Sequence, residues 1–167
     1  LLEKASSKGH SKVALLLEQT GWGRSNEKAI MSAASEALAS IEVVSWFHWG
    51  EQHFGKNLQT IASSGAEAII FVGNAPEGSA LVKAMARLPE NERLDIVSHW
   101  GISAGQFFEH NKSDLAKINF TFLQSFSFSF PNNADKASDI QSYYCETWGA
   151  ACDEIAEIAA PVGLANA

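Results

Sequence analysis

Three apolar runs, each closing on a glycine-bearing turn and then on a stretch of helical period, constrain this chain more than any other feature. Run 13–17 leads into Thr20-Gly21-Trp22-Gly23-Arg24-Ser25, run 68–72 into Gly73-Asn74-Ala75-Pro76-Glu77-Gly78, and run 94–97 into Ser98-His99-Trp100-Gly101. Each run has the length and side-chain branching of a strand covered on both faces. In an alternating β/α chain the carboxyl ends of parallel strands gather on one edge of the sheet, where ligands bind. Two tryptophans, a histidine and an asparagine are therefore predicted to converge on a single mouth. Such a surface suits recognition of a small molecule better than catalysis.

Composition narrows the classes further. At 167 residues the chain is one domain or one lobe of something larger. Hydrophobic residues make up 46% and charged residues 19%, too apolar a mixture for disorder. The net charge of −7, with Lys and Arg scattered rather than striped, argues against a nucleic-acid partner. No apolar stretch approaches the ~20 residues of a membrane span. The opening Leu1-Leu2-Glu3-Lys4 has the character of a helix interior, so the expectation is a fragment of a longer, two-lobed protein. Cys145 and Cys152 stand seven apart. On one continuous helix they would lie about 10 Å apart, too far to bridge. Gly149 lies between them as a plausible helix stop that would fold Cys152 back. Two unpaired thiols are the default expectation.

The elements read in order. Residues 1–7 form a helical tail stopped at Gly9, and 12–18 a strand. A helix is expected over 26–40, with Ala29, Ile30, Ala33, Ala34, Ala37 and Leu38 at helical spacing. Strand 41–47 is followed by a loop over 48–55, a helix over 57–64 ending at Gly65, and strand 66–72. Pro76 opens a helix that continues to residue 88, its missing N–H costing nothing in the first turn. Residues 89–93 form a charged turn, 94–98 a strand, and 103–109 and 113–117 two short helices. Residues 118–130 contain Phe126, Phe128 and Phe130 alternating with Ser125, Ser127 and Ser129, the pattern of a partly exposed strand. Helices over 138–148 and 153–158 complete a helical tail spanning 131–167. The fold class follows: a three-layer α/β/α domain with a doubly wound parallel sheet of flavodoxin-like order 2-1-3-4-5.

Several motifs invite chemistry and do not support it. Gly21-Trp22-Gly23 after a strand resembles a dinucleotide turn, but Asn26 replaces the third glycine and Trp22 would crowd a pyrophosphate. An indole between two glycines at a sheet mouth is suited to stacking on an apolar or planar ligand, or to packing on a neighbouring helix. His48, Glu51 and His53 form H-x-x-E-x-H in a loop, where nothing fixes them on one helix face. Solvated loop residues are the expectation, as is a surface role for His10 and His110. Cys145 has no adjacent base, and Ser98-His99 lacks the G-x-S-x-G elbow. No turn carries a pair of carboxylates. The expectation is a binding module without a catalytic constellation, metal or cofactor. The competing class, a flavodoxin-like enzyme acting on a small metabolite, would have only His99 at this edge.

The ordered set of elements resembles the second lobe of type 1 periplasmic binding proteins, nearest to the amino-acid-binding components of branched-chain amino acid transporters and related receptor domains. K-V-A-L-L-L-E-Q-T-G-W-G-R-S-N is similar to the family's strand and aromatic-Gly turn, with Trp22 where a Tyr is usual. W-G-E-Q-H-F-G-K-N-L-Q-T-I is similar to a passage that usually holds an Asp-Phe pair, here with His53 in the acidic place. A-E-A-I-I-F-V-G-N-A-P-E-G matches the family's third strand and turn, and A-P-V-G-L-A-N-A the segment before its hinge return. The resemblance implies two lobes closing on a ligand by hinge motion. It implies ligand contacts at Trp22 with Gly23 beside it, at Asn74 or Ala75, and at His99 and Trp100. Where amino-acid-binding members place an acid for the ligand's ammonium, this chain has Trp100, which offers a cation–π face instead. The implied function is the extracytoplasmic, amino-acid-like solute-binding lobe of an ABC transporter substrate-binding protein, in the periplasm or on the outer face of a bacterial membrane. Its partners would be the small organic solute, the second lobe of the same chain and a membrane permease. In the alternative, the same lobe is the sensor of a membrane-bound signalling receptor and the partner is a signalling module.

Overall fold

The computed structural model describes residues 1–124 together with 138–139, 142–143 and 145–147. Residues Leu1–Leu123 form one compact unit and Gln124–Ala167 a second. The first carries five strands: β1 (Lys12–Glu18), β2 (Ser40–Phe47), β3 (Ala68–Val72), β4 (Asp95–His99) and β5 (Phe120–Leu123). They hydrogen-bond in the order β2-β1-β3-β4-β5, every neighbouring pair parallel. This is the expected doubly wound arrangement. Central β1 and β3 are buried almost throughout because helices cover both faces, while β2 and β5 at the edges are half-exposed.

The alternation of side chains divides the core in two. Ala14, Leu16, Ile69, Phe71 and Ile96 point to the face covered by α3 (Gly55–Ser63), α4 (Ala75–Ala86) and α5 (Phe107–Leu115). Val13, Leu15, Leu17, Ile70, Val72 and Val97 point to the face covered by α1 (Leu2–Ser7) and α2 (Gly21–Ala33). Phe47, Phe54 and Phe71 lock the first face through ring contacts of 5.4–6.4 Å.

Most element boundaries shift by a residue or two from the sequence reading, and the larger differences are at α2 and around α5. Helix α2 begins at Gly21 and ends at Ala33, not over 26–40, because Thr20 caps it by accepting the Gly23 N–H at 3.2 Å. The chain beyond it turns through Leu38 at φ +53°. The two short helices expected over 103–117 are a brief 3-10 turn, Trp100–Ser103, and the continuous α5. Asn111, in the gap between the two expected helices, is buried inside α5, donating to Ser79 Oγ at 2.8 Å and to the Phe107 carbonyl at 2.7 Å. Strand β4 extends to His99, one residue beyond the expected end. The phenylalanine alternation of 126–130, the helix over 153–158 and the pairing of Cys152 lie outside the described residues.

Candidate functional site

Parallel winding brings the carboxyl ends of β1, β3 and β4 together with the loop after β2. There Glu18, Thr20, Trp22, Trp49, Asn74, His99 and Trp100 line an open hollow of about 360 Å³. Four of the six residues singled out in the sequence, Trp22, Asn74, His99 and Trp100, therefore meet in one place. The other two sit beneath the rim. Gly23 is packed against β1, where a Cβ would lie 2.9 Å from the Glu18 carbonyl carbon and closer still to its oxygen. Ala75 opens α4 and packs against the core.

The walls are aromatic. Trp22 rides on the first turn of α2 and is 41% exposed, Trp49 on the β2–α3 loop is 74% exposed, and Trp100 is 51% exposed. His99 stands between two of them, its ring edge-on to Trp22 at 5.2 Å and to Trp100 at 5.7 Å. The Gly101 N–H donates to His99 Nδ1 at 3.1 Å, which assigns the ring proton to Nε2. That nitrogen is buried and faces the Gly73 backbone without a well-aligned hydrogen bond among the described residues. Burial holds the His99 pKa below its ordinary value, with the Gly73 backbone drawing it weakly upward. The ring is thus a neutral donor. Asn74 is the N-cap of α4 but makes no side-chain cap bond, leaving its amide for other partners.

One acid lines the hollow and a second lies near it. Glu18, the last residue of β1, is 1% exposed, and its Oε2 lacks a hydrogen-bond partner among the described residues. Glu77, in the first turn of α4, is 2% exposed; its Oε1 accepts the Gly50 N–H at 2.8 Å and its Oε2 has no partner among the described residues. Burial raises the Glu18 pKa, Glu77's charge raises it further, and the Thr20 hydroxyl draws it back. Sequence reasoning passed over Glu18 and Trp49. The signal for Glu18 was an acid closing an otherwise apolar, two-face-buried strand.

The opposite edge of the sheet contrasts with this one. There Asp95 is paired with Lys8 at 2.8 Å and hydrogen-bonded to His10 Nε2 at 3.0 Å, so His10 has a fixed polar partner rather than a plain surface role. Glu67 accepts the Ser11 and Lys12 N–H groups at 2.8 and 3.2 Å. His48 and His53 are exposed, Glu51 bonds the backbone of Gln52 and His53, and His110 is exposed. A larger hollow of about 570 Å³ opens between α3 and α4, lined by Leu58, Ala62, Met85 and Leu88 among others. None of the buried polar atoms that lack partners among the described residues borders it, and its lining includes none of the residues at the carboxyl ends of the strands. The strand-end hollow is the candidate site.

No family model and no curated protein sequence matches this chain. Solved structures share its fold. A putative branched-chain amino acid ABC transporter protein from Rhodospirillum rubrum superposes with a TM-score of 0.74 at 17% identity, over 89% of this chain and 41% of that one. A leucine-binding protein from Thermotoga maritima gives 0.67 at 18% identity, over 89% and 41%. An ABC transporter solute-binding protein from R. palustris, in complex with 4-hydroxybenzoate, gives 0.55 at 24% identity, over 60% and 28%. The fold is that of part of a type 1 periplasmic binding protein, and the chain spans about 40% of the length of the first two structures.

Proposed function

We propose that this chain is one ligand-binding lobe of an extracytoplasmic solute-binding protein that delivers a small organic solute to an ABC transporter permease. The carrying observation is the hollow at the carboxyl edge, where three partly exposed indoles and a neutral His99 surround unpartnered polar atoms. Partly exposed indoles supply large contact area to a planar or aliphatic ligand. His99 Nε2–H is a donor for a carboxylate or carbonyl, so an amino-acid-like solute fits the chemistry. The solved structures of the same fold are described as transporter binding proteins for amino acids and other small solutes, which supports the reading. Across from the hollow a second lobe would complete the contacts and close by hinge motion. The function is binding and release, in the periplasm, with no chemical step.

The test is ligand screening of the full-length protein by thermal shift. A ligand at 100 times its dissociation constant adds about 2.7 kcal/mol of stability. Replacing Trp22 or Trp100 by Ala should then weaken binding of the hit by about 1–3 kcal/mol while the circular dichroism spectrum is retained. Unchanged affinity in both variants would refute the placement of the site.

A further inference from the structure

Charge at the candidate site is one-sided. Glu18 lines it with Glu77 near enough to act on Glu18's charge, His99 is neutral, and among the described residues no Lys or Arg lines the hollow. Arg24, the cation nearest in sequence, is turned away over the Trp46 ring at 5.2 Å. Glu18 borders the hollow, is 1% exposed, and leaves one carboxylate oxygen without a partner among the described residues. A buried acceptor left unsatisfied costs about 1–3 kcal/mol, more when it is charged. Such an atom in a ligand-sized hollow is complementary to a donor that arrives with the ligand. The indole faces of Trp22, Trp49 and Trp100 around it also favour a cation over an anion.

We infer that Glu18 receives a protonated amine of the ligand, so the solute recognised by this lobe carries a cationic nitrogen with N–H groups, seated among the three indoles. The inference rests on the strand-end hollow being the binding site. Glu77, held by the Gly50 N–H, stands behind Glu18 and adds negative charge without touching the hollow. An ammonium contributes both the missing hydrogen-bond donor and the charge that two neighbouring carboxylates call for. A carboxylate in the same place would face two acids.

The probes are phenethylamine and 3-phenylpropionate, which share an aromatic body and differ in the sign of the terminal charge. Binding to the full-length protein is followed by tryptophan fluorescence and by ligand-detected NMR. The expected result is at least a tenfold preference for the amine, with Glu18→Gln lowering amine affinity about tenfold or more and not weakening the carboxylate probe. Equal or better binding of 3-phenylpropionate by the wild-type chain overturns the inference without needing any variant. So does amine binding that Glu18→Gln leaves intact, and so does an absence of saturable amine binding by the folded full-length, two-lobed protein. The site and the inference fail separately. If Trp22→Ala and Trp100→Ala weaken both probes but the amine is not preferred, the hollow stands and the cation assignment falls. If the amine binds and neither tryptophan variant affects it, the placement of the site falls.

Discussion

Gly23 is the residue on which the start of α2 depends, and replacing it by alanine should show this directly. A Cβ at that position would lie 2.9 Å from the Glu18 carbonyl carbon, closer still to its oxygen, and 3.3 Å from the Trp46 ring. The first two neighbours are backbone of a central strand, held by β2 and β3 on either side, so they do not yield as a flexible side chain would. Relief requires the first turn of α2 to move outward by about an ångström, which loosens the Thr20 cap and shifts Trp22. Overpacking of a rigid site costs about 1–3 kcal/mol and sometimes more, and loss of the cap adds about 1. Against this, alanine gains up to about 1 kcal/mol of helix propensity over glycine. The expected net loss is about 1–3 kcal/mol, read by urea unfolding followed by circular dichroism. Gly21, two positions earlier, is the matched control, since a Cβ added there would have nothing within 4 Å. Gly21→Ala should be neutral or stabilising by a few tenths of a kcal/mol. A Gly23→Ala variant within about 0.5 kcal/mol of the wild type, the scatter of ordinary surface substitutions, would refute the close-approach argument.

Two further outcomes follow from the buried polar groups. The folded chain binds the Glu18 proton more tightly than the unfolded chain does, because burial and Glu77 raise its pKa above the ordinary 4.5 while Thr20 only partly opposes them. Stability therefore falls as pH rises from that value through the raised one. Glu18→Gln should be more stable than the wild type at pH 7 to 8, with the advantage shrinking toward pH 4.5 in unfolding curves taken across that range. His99 works the other way, losing stability as pH falls below 6.5, and is common to both chains; an advantage that grows on acidification would refute the Glu18 assignment. Ser98, fully buried, donates to the Phe71 carbonyl at 3.0 Å between adjacent strands. Ser98→Ala should cost about 1 kcal/mol in the same assay, and no loss would mean that this bond adds nothing net.

The sheet order was legible because each central strand announces itself by branching and by the turn that ends it. Once that order is known, the meeting of Trp22, Asn74, His99 and Trp100 follows from topology alone. What was not legible depended on contacts between distant segments. Gly21 and Gly23 read as breakers, and only the proximity of the Glu18 carbonyl explains why a helix begins with them. Asn111 likewise lies in the gap between two expected helices until Ser79 on α4 is seen to bind it. The acid pair is the clearest case. Glu18 ends β1 and Glu77 begins α4 after β3, and no local pattern joins them before β1 and β3 are known to be neighbours.

The two edges of the same sheet treat their carboxylates in opposite ways, and the difference bears on function. At the amino edge Asp95 and Glu67 each have close partners, as stability alone would favour. At the carboxyl edge Glu18, Glu77 and His99 hold three of the buried side-chain atoms that lack partners among the described residues. An apolar or amide replacement at Glu18 would relieve this cost, and a residue kept for what it does when a ligand is present is expected to carry such a cost. The two expected effects of Glu18→Gln, a more stable fold at neutral pH and a weaker grip on an amine, are consequences of one arrangement. Their joint occurrence separates a recognition group from a merely tolerated buried acid, which would give the first effect without the second.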